Sequence, residues 1–259
     1  RSFFFVIMYS GFAFGGVAAA VLGTLVIASL GWRAMFWIGT IPILLVPVIA
    51  VYLPESIRFL QTRGRQAQAR KIMSRFGLDE ASWPEPDAAV VRGGFASLFQ
   101  PGWARATVLF SLIYVMAFLL IYGMNIWLPK MMQHAGYALN SSLLFLLVFN
   151  FAAVVGGICA GRVADRLRPR HVIAATYLLA ALITALLSVK LNTVVLYLLI
   201  ALAGFGTTGT TFVLASYVMR YYAAANRATA LGFVSAVGRL GAVAGPVLVG
   251  LILSAGFSN

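Results

Sequence analysis

Carboxylates are the scarcest functional group in this chain. There are six among 259 residues, Glu55, Asp79, Glu80, Glu85, Asp87 and Asp165, and none lies in the middle of an apolar run. Paired carboxylates for acid–base chemistry are therefore excluded, and a proton relay inside a membrane, which usually needs a carboxylate there, has no candidate. Cysteine is nearly absent as well. Cys159 stands alone within an apolar run, so no disulfide framework can form, and the residue reads as packing. The two histidines, His134 and His171, sit at polar turns and read as solvated, which leaves no metal-ligating cluster. No nucleophile with an adjacent base is visible at helix spacing, which argues against an intramembrane enzyme. An initiator methionine and a signal-peptide pattern are also missing; the first apolar run begins almost at residue 1, so the start reads as truncated.

What is present is apolar. Hydrophobic residues make up 62% and charged residues 10%, with a mean hydropathy of +0.95, too little charge to cover a water-facing surface of this size. The apolar runs approach the roughly 20 residues a helix needs to cross about 30 Å of hydrocarbon. They predict an all-α, polytopic membrane helical bundle with seven spans, at about 3–29, 34–53, 106–128, 142–163, 172–189, 194–219 and 228–254. Gly31-Trp32-Arg33 makes a tight hairpin of the first two, and residues 54–104 are the only long polar segment. That segment divides the chain two plus five.

The net charge of +13 follows the same logic. With residues 54–104 cytoplasmic, only Arg33, Lys130 and Lys190 fall outside, Arg239 lies within the last span, and every other basic residue falls inside. Such a bias is a topology signal and not a phosphate-binding face, so nucleic acid is not an expected partner. The long loop contains a predicted helix from Gln61 to Phe76, with Ala67, Ile72, Met73 and Phe76 apolar, followed by a Trp83-Pro84-Glu85-Pro86 linker. It reads as an interdomain connector; the alternative is docking on anionic lipid through Arg63, Arg65, Arg70, Lys71 and Arg75.

Several strings carry more specific signals. Gly204-Phe205-Gly206-Thr207-Thr208-Gly209 matches the dinucleotide fingerprint in letters but lies within an apolar span with no preceding strand, so close helix packing or a loosened helix is expected. Thr207, Thr208, Thr210 and Thr211 then either line a cavity or bond back to their own helix. Gly11 with Gly15, Gly157 with Gly161, and Gly241 with Gly245 are spaced for close helix crossings. The run Gly161 to Arg170, with Asp165, Arg166 and Arg170, reads either as a topology anchor or as a latch between helices that breaks when the protein changes state. Arg239 sits about a dozen residues into its span. A mid-membrane arginine costs about 2.5 to 3.5 kcal/mol on insertion scales, so it needs a partner or a wet cavity. It reads as a guanidinium for an anionic substrate's carboxylate; the plain alternative is bonding to backbone carbonyls at a helix break. Asn125, near an outer end and two residues before Trp127, is either a cavity-lining hydrogen-bonding group or an interfacial cap.

Taken in order, these strings resemble a known family. Gly161 to Arg170 resembles the loop motif of the major facilitator superfamily in its second-half position, and Pro54-Glu55-Ser56-Ile57-Arg58-Phe59-Leu60 resembles the signature after span six of sugar-porter-like members. Tyr221-Tyr222, Arg227-Ala228-Thr229, Gly238 to Ala242, Gly245-Pro246 and the run Tyr122 to Pro129 are similar to the aromatic acid:proton symporter family. Ala223, Ala230 and Arg168 depart from it, standing where proline, glycine and glycine are usual.

The resemblance implies an incomplete major facilitator fold, spans five to eleven of twelve, with residues 1–53 the last two spans of the N-terminal half, 54–104 a cytoplasmic loop, and 105–259 five spans of the C-terminal half. It implies a monomer in the plasma membrane, multi-pass and in contact with the lipid bilayer, that uses no cofactor. Its expected activity is proton-coupled uptake of aromatic carboxylates by alternating access, so its small-molecule partners are an organic anion and a proton. Arg239, Asn125 and Thr211 are then the expected substrate-binding residues, and Gly161, Asp165, Arg166 and Arg170 the conformational-switch motif. Transport of a sugar or another organic anion is the nearest alternative; a seven-span receptor fits the two-plus-five division poorly.

Overall fold

A computed structural model of the chain describes residues 7–55, 57–62, 64–78, 94–187, 189, 192–223 and 226–255. Among these residues there is no strand, and the helices follow the apolar runs. They are α1 (Gly11–Leu30), α2 (Arg33–Thr40), α3 (Leu45–Tyr52), α4 (Ile57–Thr62), α5 (Gln66–Arg75), α6 (Ala104–His134), α7 (Leu139–Arg166), α8 (Pro169–Leu186), α9 (Thr193–Gly206), α10 (Thr208–Tyr221) and α11 (Arg227–Ser254). Short 3-10 turns occupy Ile41–Leu44 and Phe95–Phe99.

Together these elements supply seven stretches long and apolar enough to cross a membrane: Ile7–Ile27, Arg33–Tyr52, Ala104–His134, Leu139–Arg166, Pro169–Leu186, Thr193–Tyr221 and Arg227–Ile252. They coincide with the predicted spans. Besides the turn at Ser10 near the start of the first, two of them are interrupted in their interior. In the second, Pro42 lies in the 3-10 turn Ile41–Leu44 between α2 and α3, where its missing N–H cannot continue an α-helical ladder. In the sixth, Thr207, at φ −92° and ψ −77°, separates α9 from α10. The hairpin between the first two spans turns at Gly31, whose φ of 74° suits a residue without a Cβ.

Glycines set how closely the helices cross. On α11, a Cβ at Gly241 or Gly245 would run into the backbone carbonyls of Val115 and Leu119, and one at Gly238 would lie 2.9 Å from the Tyr114 Cβ. These positions recur every three to four residues, so one face of α11 lies on α6. A Cβ at Gly204 would run into the Phe149 carbonyl of α7, and one at Gly209 would lie 2.6 Å from the Gly157 nitrogen. The fingerprint-like string is therefore a packing device around a helix break. Gly11 and Gly15 do not follow the expectation: among the described residues nothing lies within 4 Å of a Cβ at either. Their neighbour Gly16 is the contact, against Asn150 of α7.

The predicted Gln61–Phe76 helix is two helices, α4 and α5, packed on each other, with residue 63 outside the described residues. Leu60, Ala69 and Met73 are buried, whereas Ala67 and Phe76 are exposed and Ile72 is half-buried, so the apolar face lies one step round from the one expected. Arg1, Ser56, Arg63, the acidic residues 79, 80, 85 and 87, the Trp83–Pro86 linker, Arg92 and Lys190 lie outside the described residues. Cys159 faces outward from α7 and is not packed as expected, while His134 and His171 are exposed as expected.

The connector's last part is fastened to the helices that follow it. Leu98 is fully buried, its carbonyl accepting from the Thr107 hydroxyl at 2.8 Å. The same hydroxyl pairs with the Tyr222 hydroxyl at 2.8 Å. Ser97 donates to the Asn226 side-chain oxygen at 3.1 Å, and Phe95 and Phe99 both pack edge-on against Phe233. Burial pushes the Tyr222 phenol above its ordinary value, against the Thr107 hydrogen bond, which lowers it.

Candidate functional site

Arg239 leaves α11 one residue after Gly238, beside the close crossing with α6. Its guanidinium donates to the Tyr122 hydroxyl at 2.5 Å and stands over two rings of α6, with its central carbon 5.2 Å from the Phe118 centroid and 5.8 Å from that of Tyr122. The hydrogen bond goes to a side chain and not to the carbonyls of a helix break. Among the described residues no carboxylate pairs with it. The side chain is exposed, on the open side of the α6–α11 pair.

A row of rings on α6 leads from the core to this guanidinium, Tyr114 buried and Phe118 and Tyr122 half-buried. Tyr114, Phe118 and Tyr122, spaced four residues apart, meet edge to face with centroids 5.6 and 5.7 Å apart. A guanidinium at one end of a ring ladder, with donors left over, can hold a carboxylate while the ladder takes an apolar ring.

Asn125 lies three residues beyond Tyr122 on α6, roughly one turn on. Its Nδ2 donates to the Ile121 carbonyl at 2.8 Å, and its Oδ1 accepts from Nδ2 of Asn150 at 3.1 Å. Asn150 also donates to the Leu146 carbonyl at 3.0 Å. It is 2% exposed, with its Oδ1 2.5 Å from where a Cβ at Gly16 would stand. The amide pair thus joins α6 to α7, with α1 behind it. Trp127 does not simply face outward: its Nε1 donates to the Pro246 carbonyl of α11 at 2.8 Å, with Lys130 over its ring.

Thr211 belongs to another seam. Its hydroxyl bonds back to the Thr207 carbonyl at 3.0 Å and pairs with the Tyr177 hydroxyl of α8 at 3.0 Å. Thr207 likewise bonds back to the Ala203 carbonyl at 2.6 Å, so these two threonines take the back-bonding alternative. Thr208 and Thr210 are buried with no partner for their hydroxyls among the described residues. Tyr122, which holds Arg239, and Asn125 share a face of α6; Thr211 sits between α8 and α10.

At the other end of α7, Gly161 is buried and Asp165 faces Arg220 of α10, 3.9 Å from oxygen to nitrogen, with both groups partly exposed. Arg166 and Arg170 are exposed; Arg168, Pro169, Arg170 and Tyr217 line a shallow cleft of about 290 Å³. The ion pair therefore spans α7 and α10, two elements far apart in sequence.

Four residues of these arrangements escape a reading of motifs: Tyr122 as the partner of Arg239, Asn150, Tyr177 and Arg220. Only Asn150 carried a usable signal, as an amide between two phenylalanines in the middle of an apolar run.

Comparison with known proteins gives the family of the chain. Residues 1–246 match the family model described as Major Facilitator Superfamily. The chain is 35% identical to the benzoate transport protein of Acinetobacter baylyi, over 98% of this chain and 56% of that protein. It is 34% identical to the gentisate transporter of Corynebacterium glutamicum, over 96% of this chain and 52% of that protein. It is 30% identical to the 4-hydroxybenzoate transporter PcaK of Acinetobacter baylyi, over 100% of this chain and 59% of that protein. The chain thus spans somewhat more than half the length of these curated relatives.

Proposed function

The chain belongs to the major facilitator superfamily and is a multi-pass membrane protein, and from that premise we propose that the whole protein is a plasma-membrane secondary transporter taking up aromatic carboxylates together with protons. Residues 1–53 supply two spans of one half, 54–104 the cytoplasmic connector, and 105–259 five spans of the other half, which rock about a site between them. The observation that carries the reading is Arg239: a guanidinium inside a span, bonded to Tyr122 over the Phe118 and Tyr122 rings, with no carboxylate paired to it among the described residues. A charge so placed is costly in lipid unless something anionic or wet meets it. An aromatic acid answers both requirements, its carboxylate to the guanidinium and its ring to the ladder.

In this mechanism Arg239 receives the carboxylate bidentately, Tyr122 holds the guanidinium in place, and Asn125 orients the bound acid. Thr211, paired with Tyr177 in the α8–α10 seam, takes no direct part in holding the acid. Asp165, with Arg220, Arg166 and Arg170 around it, opens and closes the cytoplasmic side. A proton must be carried by groups other than a mid-span carboxylate of this chain, since it has none.

The test is uptake of labelled benzoate and 4-hydroxybenzoate into cells carrying the source-length gene, with and without a protonophore. Uptake abolished by the protonophore supports proton coupling; uptake of neither acid by a protein shown to reach the membrane sinks the reading. Arg239→Lys, which keeps the charge and loses the fork, should raise KM about tenfold or more. Asp165→Asn should slow turnover and leave substrate Kd unchanged; equal losses in both would remove the switch role.

A further inference from the structure

Asn150 lies in no motif, yet its amide has a defined orientation. Both hydrogens of its Nδ2 are committed, one to the Asn125 Oδ1 at 3.1 Å and one to the Leu146 carbonyl at 3.0 Å. Its other side is closed by α1, where the absent side chain of Gly16 leaves the room that the amide fills. At 2% exposure it is out of a ligand's reach.

Asn125 is different. It is half-buried, on the α6 face that carries Tyr122, and roughly 4.5 Å farther along the helix axis. Of its amide groups, one N–H goes to Ile121 and one Oδ1 lone pair to Asn150, which leaves one N–H and one lone pair. Its neighbours along the same face of α6, Ile121 and Leu128, are apolar and buried. Exchanging the nitrogen and oxygen of Asn125 would break both bonds at once, so Asn150 dictates which way the Asn125 amide faces.

Resting on the reading that Arg239 takes the carboxylate, we propose that the Asn125–Asn150 amide pair, one turn along α6 from the Arg239–Tyr122 contact, is a specificity subsite for a hydroxyl on the aromatic ring. Asn125 touches the hydroxyl. Asn150 is a positioning residue that acts through Asn125. A phenol both donates and accepts, which matches the unused N–H and lone pair; an unsubstituted ring leaves them unpaired in apolar surroundings. A site built to bond a substrate hydroxyl discriminates against the analogue that lacks it. The plain alternative is an interhelical amide bond serving only to hold α6 to α7.

The two readings separate in the full-length protein. Initial uptake of labelled 4-hydroxybenzoate and benzoate is measured in the same membranes and expressed as a ratio of kcat/KM, in which the amount of protein cancels. The wild type should favour the hydroxylated acid about tenfold, the worth of one neutral hydrogen bond. Asn125→Ala and Asn150→Ala should each bring the ratio close to one, whatever the absolute rates, and the double variant should go no further. A wild type without preference, or variants that lose both substrates in proportion, overturns the subsite and leaves an amide bond between helices. If Asn150→Ala does not reach the membrane, Asn150→Ser and Asn125→Ala read the same ratio. Uptake of neither acid by the wild type would instead overturn the transport reading, and the subsite with it.

Discussion

The span Arg33–Tyr52 and the helix α10 differ in a way that a water-soluble protein would reverse. The span has the higher mean hydropathy, 2.3 against 1.7 for Thr193–Tyr221, which contains α10. Yet no residue of α2, the 3-10 turn or α3 is buried; Trp37, Leu44 and Tyr52 are each more than 70% exposed. In α10 the buried residues include Thr208, Thr210, Thr211 and Ser216 together with Gly209, Phe212 and Leu214. Lipid accepts apolar side chains as readily as a protein interior does, so apolarity alone gives no reason to be inside. Small size and hydroxyl groups do, because they allow close helix crossings and bond locally.

The sharpest way to break this contrast is a side chain at a small-residue crossing. Gly241→Leu would drive a side chain into the Val115 carbonyl, which backbone cannot yield. The expected outcome is loss of folded protein, seen as loss of the monodisperse peak after detergent extraction. A monodisperse variant would mean that α11 and α6 do not cross as closely as described. Next in size is Thr107→Val, which strips buried hydrogen bonds from Tyr222 and Leu98. It should cost about 1–3 kcal/mol, read as a lower melting temperature in detergent. No change in melting would remove the clasp at the base of α6. The smallest effect belongs to the outer span: Leu44→Ala should stay within about 0.5 kcal/mol. A markedly larger loss would show that protein, and not lipid, covers that span in the whole molecule.

Span number and position were legible because a run of apolar residues as long as the bilayer is thick has few other uses. The breaks within spans were less so. Pro42 advertises one, but the break at Thr207 depends on Gly204 and Gly209 being pressed against α7, which is a property of the partner helix. For the same reason Gly16 and not Gly11 or Gly15 makes the contact: spacing identifies a candidate face, and the neighbour decides which face is used. Arg239 was legible from its cost in lipid, whereas its partner Tyr122, 117 residues away in the chain, was not. Asp165 and Arg220 are hidden in the same way; many arginines crowd the polar turns, and sequence cannot rank them.

The clasp of residues 95–99 also bears on how the protein can be divided into two separately made polypeptides. Leu98, Ser97, Phe95 and Phe99 precede the first helix of the five-span unit but are fixed to Thr107, Asn226 and Phe233 within it. A second polypeptide that begins at Gly94 carries its own base plate. One that begins at Ala104 would leave the Thr107 and Tyr222 hydroxyls facing an empty socket, so the natural seam for a split gene lies before Gly94, not at the start of α6.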